Sequence, residues 1–245
     1  MTERVLSRCW SAEAQRNAAL DLVAYTSWCA QDHPHWRKQH PARIWEYAQA
    51  LRVMIDLPAR ARLLLDVGGA GSPLPWIVAS RQRQPMQIVD PEFNGIVLGD
   101  TSHYPAAAVH KAAVLSPLRG RADFISCISV IEHVEDEEAF LRDLVELLAP
   151  GGVLFLTTDY VEDAPDGDVF QFRWMRKRIY TRASWFGEVP ADRAEEVREL
   201  RLHESVRVRV CNLGCEIFGG YDTAYHGPIP DLGYSFASLC VRKEG

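Results

Sequence analysis

A glycine-rich turn with a carboxylate follows the first strongly apolar segment of the chain. From Asp66 the sequence runs Asp-Val-Gly-Gly-Ala-Gly-Ser-Pro-Leu, and its glycines let a ligand approach backbone that a Cβ would cover. Ser72 is a good N-cap and Pro73 a good first helical residue, so we expect a helix directly after the turn. A dinucleotide site needs a third glycine where Leu74 stands. The turn is therefore typical of nucleotide binding, but it argues against a nicotinamide dinucleotide.

A second carboxylate, Asp90, closes the apolar segment Met86–Val89, nineteen residues after Gly71. At the end of a second parallel strand, a carboxylate can accept hydrogen bonds from both ribose hydroxyls of an adenosine cofactor. Asp90 could instead be a turn aspartate before Pro91. Both interpretations stay open.

Two later segments resemble motifs of the class I methyltransferases. Asp123–Val134 resembles their fourth-strand motif, and Leu147–Leu154 resembles the entry to their fifth strand. Together with the glycine turn and Asp90, four motifs occur in order at the family's usual spacing, over roughly residues 43–160. The resemblance implies an α/β fold with a doubly wound, Rossmann-like sheet of about seven strands. It also implies that S-adenosyl-L-methionine binds at the carboxyl edge of the strands.

The same resemblance implies roles for individual residues. Asp66 and Gly68 would meet the methionine end of the cofactor, Asp90 the ribose, and residues 128–131 would flank the methyl group. Arg43 either pairs with the cofactor carboxylate or is a helix-surface arginine. The residues expected to bind the cofactor are Arg43, Asp66, Gly68, Gly69, Gly71, Asp90, Pro91, Leu115, Ser129, Val130 and Ile131.

Two features depart from the family pattern. Ala70 and Ser72 stand where the family usually has glycine. The third-strand acid that often contacts adenine has no clear counterpart, because Asp100 follows Asp90 too soon and no acid lies within Val109–Leu115. Adenine recognition is therefore assigned to backbone groups near Leu115.

Methyl transfer from a sulfonium needs alignment of the acceptor, and a base if the acceptor is a hydroxyl or a neutral amine. His133, just past the fourth strand, is the candidate base by type and position. Alternatively, His133 and Glu132 cap the next helix or shape the pocket. The residues expected on the acceptor side are Glu132, Tyr160, Tyr225 and His226.

A basic segment, Arg173–Tyr180, holds four cations with aromatic residues between them. It could bind an acidic or phosphorylated acceptor, including RNA, or it is a solvated face. The acidic stretch Asp159–Asp168 lacks a fixed ligand pattern, so we expect no metal. Cys211 and Cys215 form a lone pair without a second pair or a suitably spaced histidine, so the six cysteines are interpreted as reduced thiols.

Composition sets the class of protein. The 245 residues are 47% hydrophobic and 24% charged, which is ordinary globular usage. The net charge of −6 argues against sequence-independent nucleic-acid binding. No apolar run reaches the ~20 residues of a membrane helix, and residues 1–17 lack the apolar region of a signal peptide. We therefore expect a soluble, cytoplasmic protein without a membrane partner; a homodimer is left open.

The elements that must position these residues alternate in type. Helices are predicted over 11–30 and from Pro41 to about Leu57, and Pro150-Gly151-Gly152 is expected to stop a later helix. Residues 159–182 are predicted as a polar loop, and 190–209 as helix. Strands are predicted at Leu63–Val67, Met86–Val89, Asp123–Val130, Val153–Thr158, Phe218–Tyr221 and Tyr234–Val241, and the later helix at Asp136–Ala149.

This order predicts a single domain spanning 1–245, with an N-terminal helical extension at 1–60 and a Rossmann-like core at 61–245. The expected function is methylation of a small-molecule acceptor at oxygen or nitrogen. Two alternatives remain: a nucleic-acid methyltransferase, and a non-catalytic subunit that binds S-adenosylmethionine and regulates a partner.

Overall fold

Parallel strands form the centre of the molecule, as seen in a computed structural model. The structure describes residues 43–55, 57, 61, 63–69, 72, 74–75, 78, 86–90, 109–110, 116–161, 170–172, 177–187, 205–222 and 235–245. The predicted helix over 11–30 and most of the segment 190–209 lie outside these residues. Three predicted residues of the cofactor set (Gly71, Pro91 and Leu115) and two of the acceptor set (Tyr225 and His226) also lie outside them.

Nine strands occur in the described residues. In chain order they are β1 (Leu64–Val67), β2 (Met86–Val89), β3 (Val109–His110), β4 (Ala122–Cys127), β5 (Leu148–Val161), β6 (Phe170–Phe172), β7 (Lys177–Thr181), β8 (Cys215–Asp222) and β9 (Ser235–Lys243). Seven of them follow the order β3-β2-β1-β4-β5-β9-β8, in which β1 to β5 are parallel and β9 is antiparallel to both neighbours. This confirms the predicted Rossmann-like sheet.

Helices cover both faces of this sheet. In chain order they are α1 (Arg43–Ile55), α2 (Glu137–Leu147), α3 (Arg182–Phe186) and α4 (Val206–Asn212). On one face, Tyr47, Ala50 and Met54 of α1 pack against alternate residues of β4 and β5, such as Phe124 and Phe155. The opposite face of the same strands packs against α2, α3 and α4. Because β1 and β2 are buried on both faces, their sequences are mainly apolar rather than alternating.

Side chains cap helix α2 at both of its ends. Asp136 accepts a hydrogen bond from the Ala139 amide at 3.0 Å, as an N-cap does. At the other end, the Lys243 Nζ donates to the carbonyls of Val145 and Leu148, at 2.9 and 3.0 Å. The last residue of the sheet therefore supplies the donor that the final helical turn lacks.

The Pro150-Gly151-Gly152 segment does not stop α2, contrary to the sequence prediction. The helix ends at Leu147 and β5 begins at Leu148, because Leu148 already pairs with Ala122 of β4. The pairing then resumes at Val153, so residues 149–152 form an irregularity within the strand. A Cβ on Gly152 would lie 2.5 Å from the Ala122 carbonyl oxygen, so this close approach requires glycine.

The prediction of a loop over 159–182 is also wrong for the described part of that segment. Strand β5 continues to Val161, and β6 and β7 form an antiparallel hairpin. Tyr160 pairs with Tyr180 of β7 on one edge and with Ser235 of β9 on the other. Since β9 lies on the edge away from β4, the hairpin occupies the space beyond the carboxyl end of β4.

Buried aromatic residues explain why the hairpin is ordered despite its charges. Tyr180 is 1% exposed, and its ring lies 5.1 Å from that of Trp185. Its hydroxyl donates to Glu137, which also pairs with Arg209 at 2.6 Å. One carboxylate at the start of α2 thus joins β7 to α4, and part of the basic segment becomes a structural strand.

Candidate functional site

Buried polar side chains are concentrated at the carboxyl edge of the parallel strands. Elsewhere the interior is mainly apolar, as expected for a sheet covered on both faces, although a few buried polar residues such as Gln49 and Ser205 lie away from this edge. The polar residues at this edge that are less than 9% exposed are Asp66, Ser72, Asp90, Ser126, Ser129, Glu132, Thr157, Thr158 and Asp159. Because burying polar groups is costly without partners, this edge is the candidate functional site.

The glycine turn after β1 leaves no room for side chains. Gly68 has φ +74°, and a Cβ there would lie 2.2 Å from Cγ2 of Val130 in the turn after β4. A Cβ on Gly69 would lie 2.5 Å from Oδ2 of Asp66. Two of the predicted cofactor residues are therefore glycines for steric reasons, and Val130, a third, closes the contact between the two turns.

The backbone after the turn has the predicted form. The Gly68 amide donates to the Val89 carbonyl at 2.8 Å, which ties the turn to the end of β2. Ser72 Oγ accepts from the Leu74 amide at 3.2 Å, as an N-cap does, and Leu74, Pro75 and Val78 are helical. A helix thus begins directly after the turn, as the sequence predicts.

Asp66 is a buried carboxylate whose two oxygens differ in their hydrogen bonding. Ser126 donates to its Oδ1 at 2.6 Å, whereas Oδ2 has no hydrogen-bond partner among the described residues. Burial raises the pKa of Asp66 to about 6; the hydroxyls of Ser126 and Ser72 oppose this, and the charge of Asp90 adds to it. An acceptor of this kind fits an ammonium group, such as the one at the methionine end of S-adenosylmethionine.

Asp90 lies where the sequence placed it, directly after β2 and 7% exposed. Strands β1 and β2 are paired with Val67 opposite Val89, so Asp66 and Asp90 lie at the ends of neighbouring strands, and the charge of Asp90 contributes to the raised pKa of Asp66. The structure therefore brings together the acids that were expected to meet the two ends of an adenosylated amino acid.

The turn after β4 contains a strained residue. Ser129 has φ +51°, a left-handed conformation that costs a non-glycine residue free energy. Two hydrogen bonds hold it: its Oγ donates to Glu46 at 2.7 Å, and its amide donates to Thr157 Oγ1 at 3.1 Å. Thr157 in turn donates to the same Glu46 oxygen at 2.5 Å.

Glu46 was not predicted as a site residue. It is fully buried on α1, 83 positions from Ser129 and 111 from Thr157. Its only sequence signal is an acid on the apolar side of an amphipathic helix, next to Tyr47 and one turn before Ala50. Arg43, which was predicted, begins the same helix.

The described residues predicted for the acceptor side lie in the turn after β4 and at the end of β5. Ile131, Glu132 and His133 form a short 3-10 helix, in which Ile131 and Glu132 are buried and His133 is exposed. The Glu132 carboxylate accepts a hydrogen bond from Thr158 at 3.3 Å. Tyr160 is fully buried, and its ring lies 5.9 Å from that of Phe186. The roles given to these residues stay predictions.

Two absences among the described residues bear on the class of site. Among the described residues, no group of three or more histidine, cysteine or acidic side chains could hold a metal ion. None of the helices that the structure describes combines the length and apolar character that a membrane crossing requires.

Known proteins share this architecture. The 1,6-didemethyltoxoflavin-N1-methyltransferase of Burkholderia thailandensis, solved with S-adenosylhomocysteine, superposes with a TM-score of 0.54 at 17% identity, covering 98% of this chain and 94% of that one. The [4+2]-cyclase SpnF superposes with a TM-score of 0.55 at 16% identity, covering 84% of each chain. At these identities the likeness shows the fold alone.

Sequence comparison adds the family. A ubiquinone biosynthesis O-methyltransferase of Xanthomonas euvesicatoria is 33% identical over 102 residues, which is 39% of this chain and 42% of that protein. The chain thus spans less than half the length of this relative. The model of the methyltransferase domain family matches residues 36–215. With this match and the site described above, the chain belongs to the class I methyltransferase family, which uses S-adenosyl-L-methionine as methyl donor.

Proposed function

We propose that this protein transfers a methyl group from S-adenosylmethionine to a hydroxyl oxygen of a small molecule. The observation that carries the proposal is the carboxyl edge of the sheet, where Asp66, Asp90 and the two interlocked turns lie together. The curated relatives add oxygen as the acceptor atom, because they are named as O-methyltransferases. The acidic net charge of −6 makes a nucleic-acid acceptor the weaker candidate.

The residues of this chain divide the work between binding and proton transfer. Asp66 would hold the ammonium group and Asp90 the ribose hydroxyls. The glycine turn would let the cofactor approach the protein backbone closely. When bound, S-adenosylmethionine supplies a methyl group already activated on a sulfonium. Ser129, held by Glu46 and Thr157, fixes the path of the turn that leads to His133.

His133 is proposed as the group that takes the acceptor proton. It lies in the 3-10 helix that follows β4, and its exposure lets a neutral imidazole accept a proton from an acceptor arriving from solvent. Glu132, which is buried beside it, and Tyr160 are proposed to shape the acceptor side. Tyr225 and His226, outside the described residues, stay candidates for the same side, as Pro91, Gly71, Leu115 and Arg43 do for the cofactor.

Methylation assays with a panel of acceptors test the proposal. Phenols and alcohols, amines, and short RNA and DNA oligonucleotides are each incubated with S-adenosylmethionine, and S-adenosylhomocysteine formation is measured. Turnover of a hydroxyl compound, and none of its methyl ether, is expected. Turnover of oligonucleotides alone would support the nucleic-acid alternative. Cofactor binding without turnover of any acceptor would favour the regulatory alternative or a reaction other than methyl transfer.

A further inference from the structure

A cavity lies at the opposite end of the sheet from the candidate active site. It has a volume of about 160 Å³ and lies between α1 and the β5–β9–β8 edge. Val153, in its wall, precedes Thr157 by four residues, which is about 13 Å along a strand. Its lining residues are Gln49, Arg52, Val53, Leu57, Val153, Phe218, Gly219, Cys240 and Arg242.

The cavity has a buried amide that the protein does not use. Gln49 is 1% exposed, and neither Oε1 nor Nε2 has a hydrogen-bond partner among the described residues. Burying an amide without hydrogen-bond partners costs free energy. A water molecule or a ligand with both a donor and an acceptor would remove this cost.

Positive charge lies at the rim of the cavity. Arg52 and Arg242 line it and are both exposed, so their guanidinium groups are accessible from solvent. Arg242 makes no ion pair with a described residue, although Glu216 lies opposite it in the β8–β9 ladder; its guanidinium lies 4.7 Å above the Phe218 ring. A planar guanidinium held in this way suits bidentate binding of a carboxylate.

Apart from Gln49 and the two rim arginines, the lining residues are apolar and uncharged. Val153 and Cys240 are buried, and burial raises the pKa of the Cys240 thiol to about 12, so the thiol is neutral at physiological pH. The β8–β9 register shifts between Ile217 and Gly219, which places Phe218 at an irregularity of the strand. Bulges re-aim side chains, and here the aromatic ring faces the cavity.

We propose that this cavity binds a small organic carboxylate whose second polar group meets the Gln49 amide. The carboxylate lies at the rim against Arg242 and Arg52, and the apolar part of the ligand lies among Val53, Leu57 and Phe218. The volume suits a ligand of one ring, since a cavity of about 150 Å³ accommodates benzene. The site is separate from the proposed methyl transfer and does not depend on it.

Binding of benzoate and 4-hydroxybenzoate to the full-length protein, measured by calorimetry with saturating S-adenosylhomocysteine, tests the proposal. The hydroxyl of the second probe offers the group that Gln49 needs. We expect both probes to bind, 4-hydroxybenzoate about tenfold more tightly because of the added hydrogen bond. Phenol, which lacks the carboxylate, should bind more weakly than either. Absence of binding of both carboxylates at millimolar concentration would overturn the proposal.

Two variants locate the binding. Arg242→Gln should weaken both carboxylates about tenfold or more, because it removes a charged partner. Gln49→Leu should abolish the preference for 4-hydroxybenzoate over benzoate while leaving benzoate binding within about twofold, with a melting temperature at least equal to that of the wild type. Arg142→Gln, on the exposed surface of α2, is the control and should change neither. Equal binding by Arg242→Gln and the wild type would mean that the carboxylates bind elsewhere.

Discussion

The turn after β1 and the turn after β4 meet where Gly68 packs against Val130, yet they are held by different means. The first turn is set largely by its own residues, since Asp66 leaves no room for a Cβ on Gly69 and Ser72 caps the helix that starts two residues later; the Gly68–Val89 backbone hydrogen bond ties it to β2. The second depends on Glu46 and Thr157, which are 83 and 28 positions from Ser129.

The difference follows from what each turn must do. A cofactor of constant structure can be met by glycines, two carboxylates and backbone, which recur as a compact pattern. We propose that the turn after β4 faces the acceptor, and its shape is set by hydrogen bonds to distant elements. The two turns can be separated by mutation, and the predictions below run from the largest expected effect to the smallest.

His133 tests whether the second turn carries chemistry. His133→Ala should lower turnover by ~10²–10⁴, the usual range for a general base. Cofactor affinity should hardly change, and the wild-type rate should rise with pH through about 6.5. His133→Gln serves as a control for side-chain size and should be equally impaired. Near-normal turnover of His133→Ala at saturating acceptor would show that His133 is not the base, and that the reaction depends on the alignment of acceptor and methyl group.

Gly68 tests the contact between the turns. Gly68→Ala should lower the free energy of unfolding by about 2–4 kcal/mol, because it combines a positive φ with overlap against Val130. Gly120→Ala is the matched control, since Gly120 has φ +69° with nothing within 4 Å of its Cβ position. It should cost only about 1 kcal/mol. Adding Val130→Ala should recover part of the difference; equal costs at both glycines would show that the turns do not press on each other.

Asp90 tests the cofactor side. Asp90→Ala should weaken binding of S-adenosylhomocysteine by about 1.5–3 kcal/mol, as for loss of a charged hydrogen bond, in a protein that folds normally. Calorimetry measures the change. Asp143→Ala, an exposed acid on α2, provides the comparison for the loss of one negative charge. An unchanged affinity in folded Asp90→Ala would remove Asp90 from the binding site.

Thr157 tests the long-range hydrogen bonds of the second turn. Thr157→Val keeps the shape but removes the acceptor of the Ser129 amide and a donor to Glu46. We expect the free energy of unfolding to fall by about 1–3 kcal/mol, as measured by denaturant titration. Thr157→Ser keeps the hydroxyl and should retain most of the stability. If valine and serine behave alike, the hydroxyl does not hold the turn.

Asp66 gives the smallest effect, a pH dependence of the ligand-free protein. Its folded-state pKa of about 6 lies above the ordinary 3.8, so ionisation costs stability as pH rises. Between pH 5 and 7.5 the free energy of unfolding of the wild type should fall by about 1 kcal/mol more than that of Asp66→Asn. Parallel pH curves for the two proteins would show that Asp66 titrates normally.

Regular elements with strong local signals were predictable from the sequence. The strands Met86–Val89 and Leu64–Val67 read as apolar runs because parallel strands are buried on both faces, and Asp136 and Ser72 announce helix starts. Asp90 and the glycines of the first turn share this property because they directly follow strands, and Asp66 shares it because it lies within the apolar run of β1. The sequence by itself therefore determined the alternation of the central strands and helices, and the family.

Tertiary structure decided the rest. The Pro150-Gly151-Gly152 segment lies within a strand because β4 is already paired at Leu148. The local sequence does not predict that pairing. The hairpin β6–β7 forms because Tyr180 is buried against Trp185 and hydrogen-bonded to Glu137. The charged residues around Tyr180 gave no sign of this burial in the sequence. Glu46 enters the site only because α1 packs on the face of β5 that carries Thr157, 111 positions away, and contacts over that distance are set by packing rather than by sequence.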